Sequence, residues 1–201
     1  MNNINTIIFD FGGVLIDWNP RYMYRDEFEE SSEMEYFLSK VCTEDWNLQQ
    51  DKGRSLAEGT RILQNKFPEH VVKIKLYYDQ WEKMIKGYIP QNVKVLRKLK
   101  EKYKLYGLTN WSAETFPIVF KRFSFFKLFD GIVISGEEKL IKPDKKIFEL
   151  MLERYHLEAK NSLFIDDNKN NIQAAKEIGF ATIHVLEKTD LKSELYALGL
   201  I

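Results

Sequence analysis

The chain has 201 residues, enough for one core and a small second domain, because domains commonly hold about 100 to 150 residues. Its 30 basic residues balance its 30 acidic ones, so we expect no general attraction to nucleic acid or to anionic membranes. A single cysteine, Cys42, excludes an intramolecular disulfide. No apolar run approaches the roughly 20 residues that cross a bilayer, and the start lacks a secretory signal pattern. We therefore expect a soluble, unprocessed cytoplasmic protein, either a monomer or a homodimer.

Short apolar runs alternate with helical patterns along most of the chain. Bunched apolar residues predict five buried strands, at residues 4–9, 103–110, 129–135, 162–167 and 181–186. Apolar side chains at helical spacing predict helices around residues 93–99, 147–151 and 172–178, the last ending before Gly179. This alternation predicts an α/β fold, with a parallel sheet covered by helices and ligands beyond the carboxyl ends of its strands.

Residues 18–88 break this rhythm, because they are rich in helix formers, charges and aromatic residues and contain no convincing strand. They are expected to form a helical insert packed against the sheet. Pro20 is placed to open its first helix, and Ser32 followed by Glu35 resembles a capping box. The predicted domains are a core of residues 1–17 and 88–201 and a small α-helical cap domain of residues 18–87.

Polar residues follow several predicted strands at the point where each strand ends. They are Asp10, Thr109, Asn110, Asp166 and Asp167. Because the carboxyl ends of parallel strands meet at one edge of a sheet, we expect these side chains to lie together. Carboxylates brought together repel one another unless a cation or a raised pKa relieves them, and oxygen ligands select a hard ion such as Mg²⁺. The sequence therefore predicts a divalent metal site.

A lysine is predicted to join this edge of the sheet. Lys142 precedes Pro143 and Asp144, which are placed to begin the next helix and to leave the ammonium pointing at the same edge. Its charge would suit a phosphate. With the hydroxyl of Thr109 and the backbone N–H of Asn110, the site would offer a nucleophile, a metal and anion donors.

Four short motifs occur in an order that a known family shows. The motifs "DFGGVL", "LTN", "IKPD" and "FIDDNKNN", with a helical insert after the first, resemble those of the haloacid dehalogenase-like hydrolase superfamily, and the match spans nearly the whole chain. The resemblance implies a Rossmann-like, doubly wound parallel sheet with a helical cap inserted just after the first strand. It also implies a phosphatase that uses Mg²⁺ to hydrolyse a small phosphorylated metabolite.

The resemblance further implies a role for each motif residue. Asp10 would be the nucleophile, attacking phosphorus to give an aspartyl-phosphate, and Thr109 and Lys142 would hold the transferring group. Asn171, one helical turn past Asp167, would support that carboxylate. Mg²⁺ would be bound by Asp10, the backbone carbonyl of Gly12, Asp166 and Asp167.

One position departs from the family pattern. Phosphatases of this family usually carry a second aspartate two residues after the nucleophile, which protonates the leaving oxygen and later activates water, but Gly12 stands there. General acid–base assistance is typically a factor of about 10² to 10⁴, so turnover should be weak unless the leaving group, a substrate hydroxyl or a cap residue compensates. Similar glycine-flanked openings occur in phosphatases of the α-glucose-1-phosphate type, which makes a sugar phosphate a candidate substrate.

Two other functions remain open at this point. A metal-independent 2-haloacid dehalogenase of the same superfamily attacks carbon and also lacks the second aspartate, but relatives of that type carry Ser and Asn where Asp166 and Asp167 stand. A catalytically weak protein that binds a phosphorylated metabolite is the third hypothesis, and the missing acid is its support.

The sequence does not define the substrate pocket. Large aromatic side chains mostly fill cores, so Trp81 is expected to pack in the interior. Trp18 and Trp111 flank motifs, and a packing role and a pocket role are about equally compatible with their positions.

Overall fold

Seven strands form in residues 4–201, which the computed structural model describes. They are β1 (Thr6–Phe9), β2 (Ile16–Trp18), β3 (Ile85–Tyr88), β4 (Lys104–Thr109), β5 (Gly131–Ile134), β6 (Ser162–Asp166) and β7 (Ala181–His184). Five of them make one parallel sheet in the order β5-β4-β1-β6-β7, so all five predicted strands are confirmed. Phe9 of β1 pairs with Gly107 of β4 on one side and with Ile165 of β6 on the other.

The helices of the described chain fall between and after these strands. They are α1 (Arg21–Tyr24), α2 (Ser31–Tyr36), α3 (Glu44–Asp51), α4 (Leu56–Lys66), α5 (Val71–Asp79), α6 (Pro90–Leu99), α7 (Phe116–Arg122), α8 (Ser135–Glu138), α9 (Lys145–Arg154), α10 (Lys169–Ile178) and α11 (Leu191–Ala197). Within residues 4–201, no helix combines the length and apolar composition that crossing a bilayer requires.

Helices cover both faces of the sheet, as the alternation of strand and helix predicts. Along β1, Ile7 and Phe9 pack on one face with apolar side chains of α6 and α11, whereas Ile8 packs on the other face with those of α9 and α10. Because both faces are covered, β1 is buried along its whole length, which explains its unbroken apolar sequence. This is the Rossmann-like α/β arrangement that the sequence predicts.

The chain enters and leaves the helical insert through a pair of antiparallel strands. Helices α1 to α5 all lie between β2 and β3, and Ile16 of β2 pairs with Tyr88 of β3. The expectation that residues 18–88 contain no strand is therefore wrong at Ile85–Tyr88. The short sequence of β3, IKGY, has no strand pattern of its own, and its pairing with β2 supplies the extended conformation.

The helix-end predictions have mixed outcomes. Gly179 ends α10 in the left-handed conformation, with φ of 106°, as expected. The capping box predicted at Ser32 and Glu35 is wrong, because α2 begins at Ser31 and makes no side-chain cap there. Glu35 instead forms an ion pair with Arg21 of α1, at 2.6 Å. A contact between two helices thus takes the side chain that a local cap would have used.

The end of α3 and the start of α4 are attached to the sheet domain. The hydroxyl of Ser135, at the end of β5, donates a hydrogen bond to the backbone carbonyl of Asp51. The backbone N–H of Leu56 donates to Glu114 in the loop after β4, at 2.8 Å. These hydrogen bonds join the insert to two loops at the carboxyl edge of the sheet.

Candidate active site

Asp10 and Asp166 lie at the carboxyl ends of two neighbouring strands. Asp10 directly follows β1, and its backbone N–H donates to the carbonyl of Ile165 in β6, at 2.8 Å. After β1 the chain builds β4 and β5 on one side, and after β6 it builds β7 on the other. The two carboxylates therefore occupy the topological switch point, where open α/β sheets bind their ligands.

Lys142 lies between these two carboxylates. Its ammonium nitrogen Nζ is 3.0 Å from Oδ1 of Asp10 and 2.6 Å from Oδ2 of Asp166. The lysine side chain and that of Asp166 are fully buried, and that of Asp10 is 12% exposed. The structure thus brings together three of the predicted site residues from distant parts of the chain, with the ammonium pointing at the predicted edge.

The side chain of Asn110 fixes the backbone on which Lys142 stands. Its Oδ1 accepts the backbone N–H of Lys142 at 2.8 Å, and its Nδ2 donates to the backbone carbonyl of Lys142 at 2.9 Å. From the sequence, Asn110 was expected to offer its backbone N–H to an anion, and this side-chain role was not predicted. An amide at a strand end is a usable signal for it, since an amide can pair with both backbone groups of one residue.

Asp166 is held from the start of α10. The backbone N–H of Asn168 donates to its Oδ1 at 2.7 Å, and Nδ2 of Asn171 lies 3.1 Å from each of its oxygens. Asn171 was expected to support Asp167, but its amide contacts Asp166, because the first turn of α10 passes over the buried end of β6. With Lys142 and two asparagines on Asp166, Asp167 is the more available carboxylate of the pair.

Three carboxylates at this edge are arranged to hold a metal ion. Oxygen atoms of Asp10, Asp166 and Asp167 lie within 4.8 Å of one another. Lys142 can balance one of their three charges, which leaves the two that a single divalent cation would balance. The donors are all oxygens and so fit a hard ion such as Mg²⁺. Gly12, the further predicted ligand through its carbonyl, lines the same cleft as Asp10 and Asp167.

Burial and mutual repulsion set the proton affinities of the site. Burial raises the pKa of Asp10 from 3.8 to about 7. The charge of Lys142 lowers this pKa, and the charges of Asp166 and Asp167 raise it. Loss of solvent and the charge of Asp166 raise the pKa of Asp167 to about 6. Burial opposes the charge of Lys142, but Asp10 and Asp166 outweigh it and raise its pKa above 10.5. A cation among the carboxylates would favour their ionised forms.

An open cleft leads from these carboxylates towards the helical insert. It has a volume of about 720 Å³, and Arg21, Ser39 and Glu44 of the insert face it together with Asp10 and Asp167. Thr109 lies at the sheet end of the site, buried at the end of β4 and two residues beyond the pair that Gly107 makes with Phe9.

A second, smaller cavity shares Gly12 and Trp18 with the cleft. Its volume is about 90 Å³, and Trp18, Trp81 and Trp111 line it together with Gly12 and Asp51. Trp81 and Trp111 are also buried and meet edge to face, with ring centroids 5.8 Å apart. We call this cavity the aromatic chamber. Asp51 was not predicted as a site residue, since no motif or spacing connects the end of α3 to Gly12.

Comparisons with known proteins assign most of the chain to one family. A profile of the haloacid dehalogenase-like hydrolases matches residues 7–185. A sesquiterpene phosphatase of Aspergillus oryzae is 26% identical over 190 residues, which are 94% of this chain and 93% of that protein. A phosphorylated carbohydrates phosphatase of Thermotoga maritima is 26% identical over 188 residues, which are 90% of this chain and 84% of that protein.

A solved structure gives the same assignment. The crystal structure of a HAD family enzyme from Bacteroides thetaiotaomicron, in complex with magnesium and inorganic phosphate, superimposes with a TM-score of 0.74 and is 25% identical. The match covers 95% of this chain and 98% of that one. From its motifs, its fold and its family match, the chain belongs to the haloacid dehalogenase-like hydrolases.

Proposed function

We propose that the protein is a Mg²⁺-dependent phosphatase that hydrolyses a small phosphorylated metabolite through an aspartyl-phosphate on Asp10. The observation that carries the proposal is the placement of Lys142 between Asp10 and Asp166, with Asp167 in reach of both carboxylates. A buried ammonium beside a nucleophilic carboxylate and a cluster of metal-type oxygens is what transfer of a phosphoryl group requires.

The metal would be held by Asp10, Asp167 and the carbonyl of Gly12, with Asp166 beside them. When bound, Mg²⁺ supplies positive charge that polarises the phosphoryl oxygens and balances the carboxylates. Asp10 is oriented for attack, because the backbone N–H of Phe11 and the ammonium of Lys142 both contact its Oδ1. These contacts leave Oδ2 free to approach phosphorus.

Other site residues would hold the phosphoryl group in place. Lys142 offers an ammonium whose raised pKa keeps it charged at neutral pH, and Thr109 offers a hydroxyl at the neighbouring strand end. The cleft above them is lined by polar and charged side chains of the insert, among them Arg21 and Glu44, which favours a hydrophilic leaving group such as a sugar. The carbohydrate phosphatase and the magnesium- and phosphate-bound relative support the same reaction class.

The dehalogenase alternative receives less support from the site. A metal-free reaction at carbon has no use for two negative charges in excess of the lysine, and here three carboxylates lie within 4.8 Å of one another. A protein that only binds its ligand would have no use for a buried carboxylate with a free Oδ2 beside the phosphate-binding lysine.

Assays of metal dependence test the proposal. The protein, incubated with a panel of sugar and polyol phosphates, is expected to release inorganic phosphate with Mg²⁺, to stop when a chelator is added, and to recover when excess Mg²⁺ is restored. Chloride release from 2-chloropropionate is measured in parallel. Chloride without metal would support the dehalogenase, and no phosphate from any panel member would overturn the proposal.

A glycine substitution tests the proposed metal site without touching a ligand. Gly13 has φ of +68°, and a Cβ there would collide with the carboxylate of Asp167. Gly13→Ala is expected to destabilise the fold by about 1 kcal/mol and to weaken Mg²⁺ binding about 10- to 100-fold, because Asp167 must move. Urea unfolding and calorimetric titration with Mg²⁺ measure the two effects.

The matched control is Gly87→Ala in β3, where an added Cβ meets no atom within 4 Å. It should leave Mg²⁺ affinity at the wild-type value. Unchanged affinity in Gly13→Ala would remove Asp167 from the metal site.

A further inference from the structure

Asp51 supplies a carboxylate from the helical insert to a cavity that Gly12, the position of the missing family acid, also lines. It is the last residue of α3, and its side chain lines the aromatic chamber together with Gly12 and Asn110. Gly12 also lines the cleft that contains Asp10. The chamber is therefore adjacent to the position from which a second aspartate would otherwise serve the leaving group.

The carboxylate is held in a fixed position between the insert and the sheet domain. Nδ2 of Asn47, one turn earlier on α3, donates to Oδ2 of Asp51 at 3.0 Å. The backbone N–H of Ser112, in the loop after β4, lies close enough to the same carboxylate to lower its pKa. Ser135 binds the backbone carbonyl of Asp51. The two core loops thus position this acid relative to the Asp10 site.

The surroundings of Asp51 favour its protonated form. Burial among the chamber side chains raises its pKa from 3.8 to about 7, the Ser112 N–H lowers it, and the charge of Asp10 raises it. A general acid works best when its pKa lies near the operating pH. Asp51 meets that condition, and it lines the chamber, where a ligand could reach it.

A purely structural role explains Asp51 less well. The backbone carbonyl of Asp51 joins the insert to the core, and an asparagine side chain could lie beside Ser112 equally well and would carry no charge. A buried carboxylate near another anion destabilises the folded state. The presence of a carboxylate at position 51 is explained if its proton takes part in the reaction.

We propose that Asp51 is the general acid and base of the reaction, replacing the aspartate that Gly12 lacks. This inference rests on the proposed phosphatase function. In the first step an oxygen of Asp10 bonds to phosphorus, the bond from phosphorus to the leaving oxygen breaks, and that oxygen takes the proton of the Asp51 acid. In the second step the Asp51 carboxylate takes a proton from water, whose oxygen bonds to phosphorus, and the bond from phosphorus to Asp10 breaks. Inorganic phosphate leaves, and Asp51 is again an acid.

Leaving-group dependence distinguishes an acid from a structural contact. Asp51→Asn is compared with wild type on para-nitrophenyl phosphate, whose leaving group needs no proton, and on the sugar phosphate that wild type cleaves fastest. With Asp51 as the acid, kcat/KM for the sugar phosphate falls about 10²- to 10⁴-fold, and that for para-nitrophenyl phosphate falls less than about tenfold. The control, Asp79→Asn, removes an exposed carboxylate of the insert that pairs with Lys75 and should match wild type on both substrates.

A second variant tests whether the acid can be supplied from the position that the family uses. A Cβ at Gly12 meets no atom within 4 Å, so Gly12→Asp can be accommodated beside the chamber. The double variant Gly12→Asp with Asp51→Asn is expected to recover sugar phosphate hydrolysis at least about tenfold over Asp51→Asn alone. Thermal unfolding of each variant reports the structural contribution of Asp51 separately.

The outcomes separate this inference from the function on which it rests. Equal losses on both substrates, with a lowered unfolding temperature and no rescue, would show that Asp51 is a structural contact and would overturn the inference. Wild-type rates in Asp51→Asn would overturn it as well. In either case Mg²⁺-dependent phosphate release by the wild type would leave the phosphatase function standing, whereas its absence would overturn both.

Discussion

Asp10→Asn is expected to lower phosphate release by about 10³-fold or more, the scale on which loss of a nucleophile acts. The amide has nearly the shape of the carboxylate but cannot attack phosphorus. Lys142 keeps its 2.6 Å contact with Asp166 in this variant, so the fold should be retained. Phosphate release with Mg²⁺ and the sugar phosphate panel measures the effect, with Asp79→Asn as the charge-matched control.

The same variant is expected to be at least as stable as wild type at pH 8. Burial raises the pKa of Asp10 to about 7, against 3.8 for the exposed group. The folded state therefore binds a proton more tightly than the unfolded state, and wild-type stability falls as pH rises from about 4 to about 7. An amide at position 10 does not ionise, so the variant does not lose stability over this pH range. Thermal unfolding in the presence of a chelator checks the sign.

Persistent turnover in Asp10→Asn with an intact fold would contradict the nucleophile assignment. Unfolding of the variant at neutral pH would contradict the second expectation. It would show that the buried carboxylate stabilises the fold more through Lys142 than its burial destabilises it.

Lys142→Met is expected to destabilise the protein by about 3 to 5 kcal/mol, because it leaves Asp10 and Asp166 buried without their shared cation. For a chain of this size that corresponds to a drop in the unfolding temperature of about 10 °C. Phosphate release should be lost as well. The comparison variant is Lys145→Met, whose exposed pair with Glu177 at 2.9 Å should contribute at most about 1 kcal/mol.

The loss in Lys142→Met should depend on pH. Without the ammonium, the pKa of the buried Asp10 rises further above its already raised value of about 7. The variant is then least stable above pH 7 and recovers stability as the pH falls towards 4, because protonation removes the uncompensated charge. Urea unfolding at pH 8 and pH 5 in chelator measures this, and a pH-independent loss would point to packing rather than charge.

The sequence by itself determined the five strands of the sheet, their alternation with helices along the chain, and the residues at the carboxyl edge of the sheet. Those features depend on local patterns. A strand buried on both faces, such as Thr6–Phe9, must be apolar throughout, and a polar residue such as Asp10 that directly follows it must lie at the strand end. The family motifs follow the same ends, so the fold and the meeting of Asp10, Lys142 and Asp166 could be predicted without coordinates.

Only the tertiary structure decided how side chains from different segments are used. The strand at Ile85–Tyr88 forms because β2 lies beside it. The side chain of Asn110 forms hydrogen bonds with the backbone of a residue 32 positions away, and Asn171 contacts Asp166 rather than Asp167. Asp51 is the clearest case, because it shares a cavity with Gly12 only when α3 packs on the loops after β4 and β5. Contacts of this kind join distant segments through packing, and no spacing along the chain encodes them.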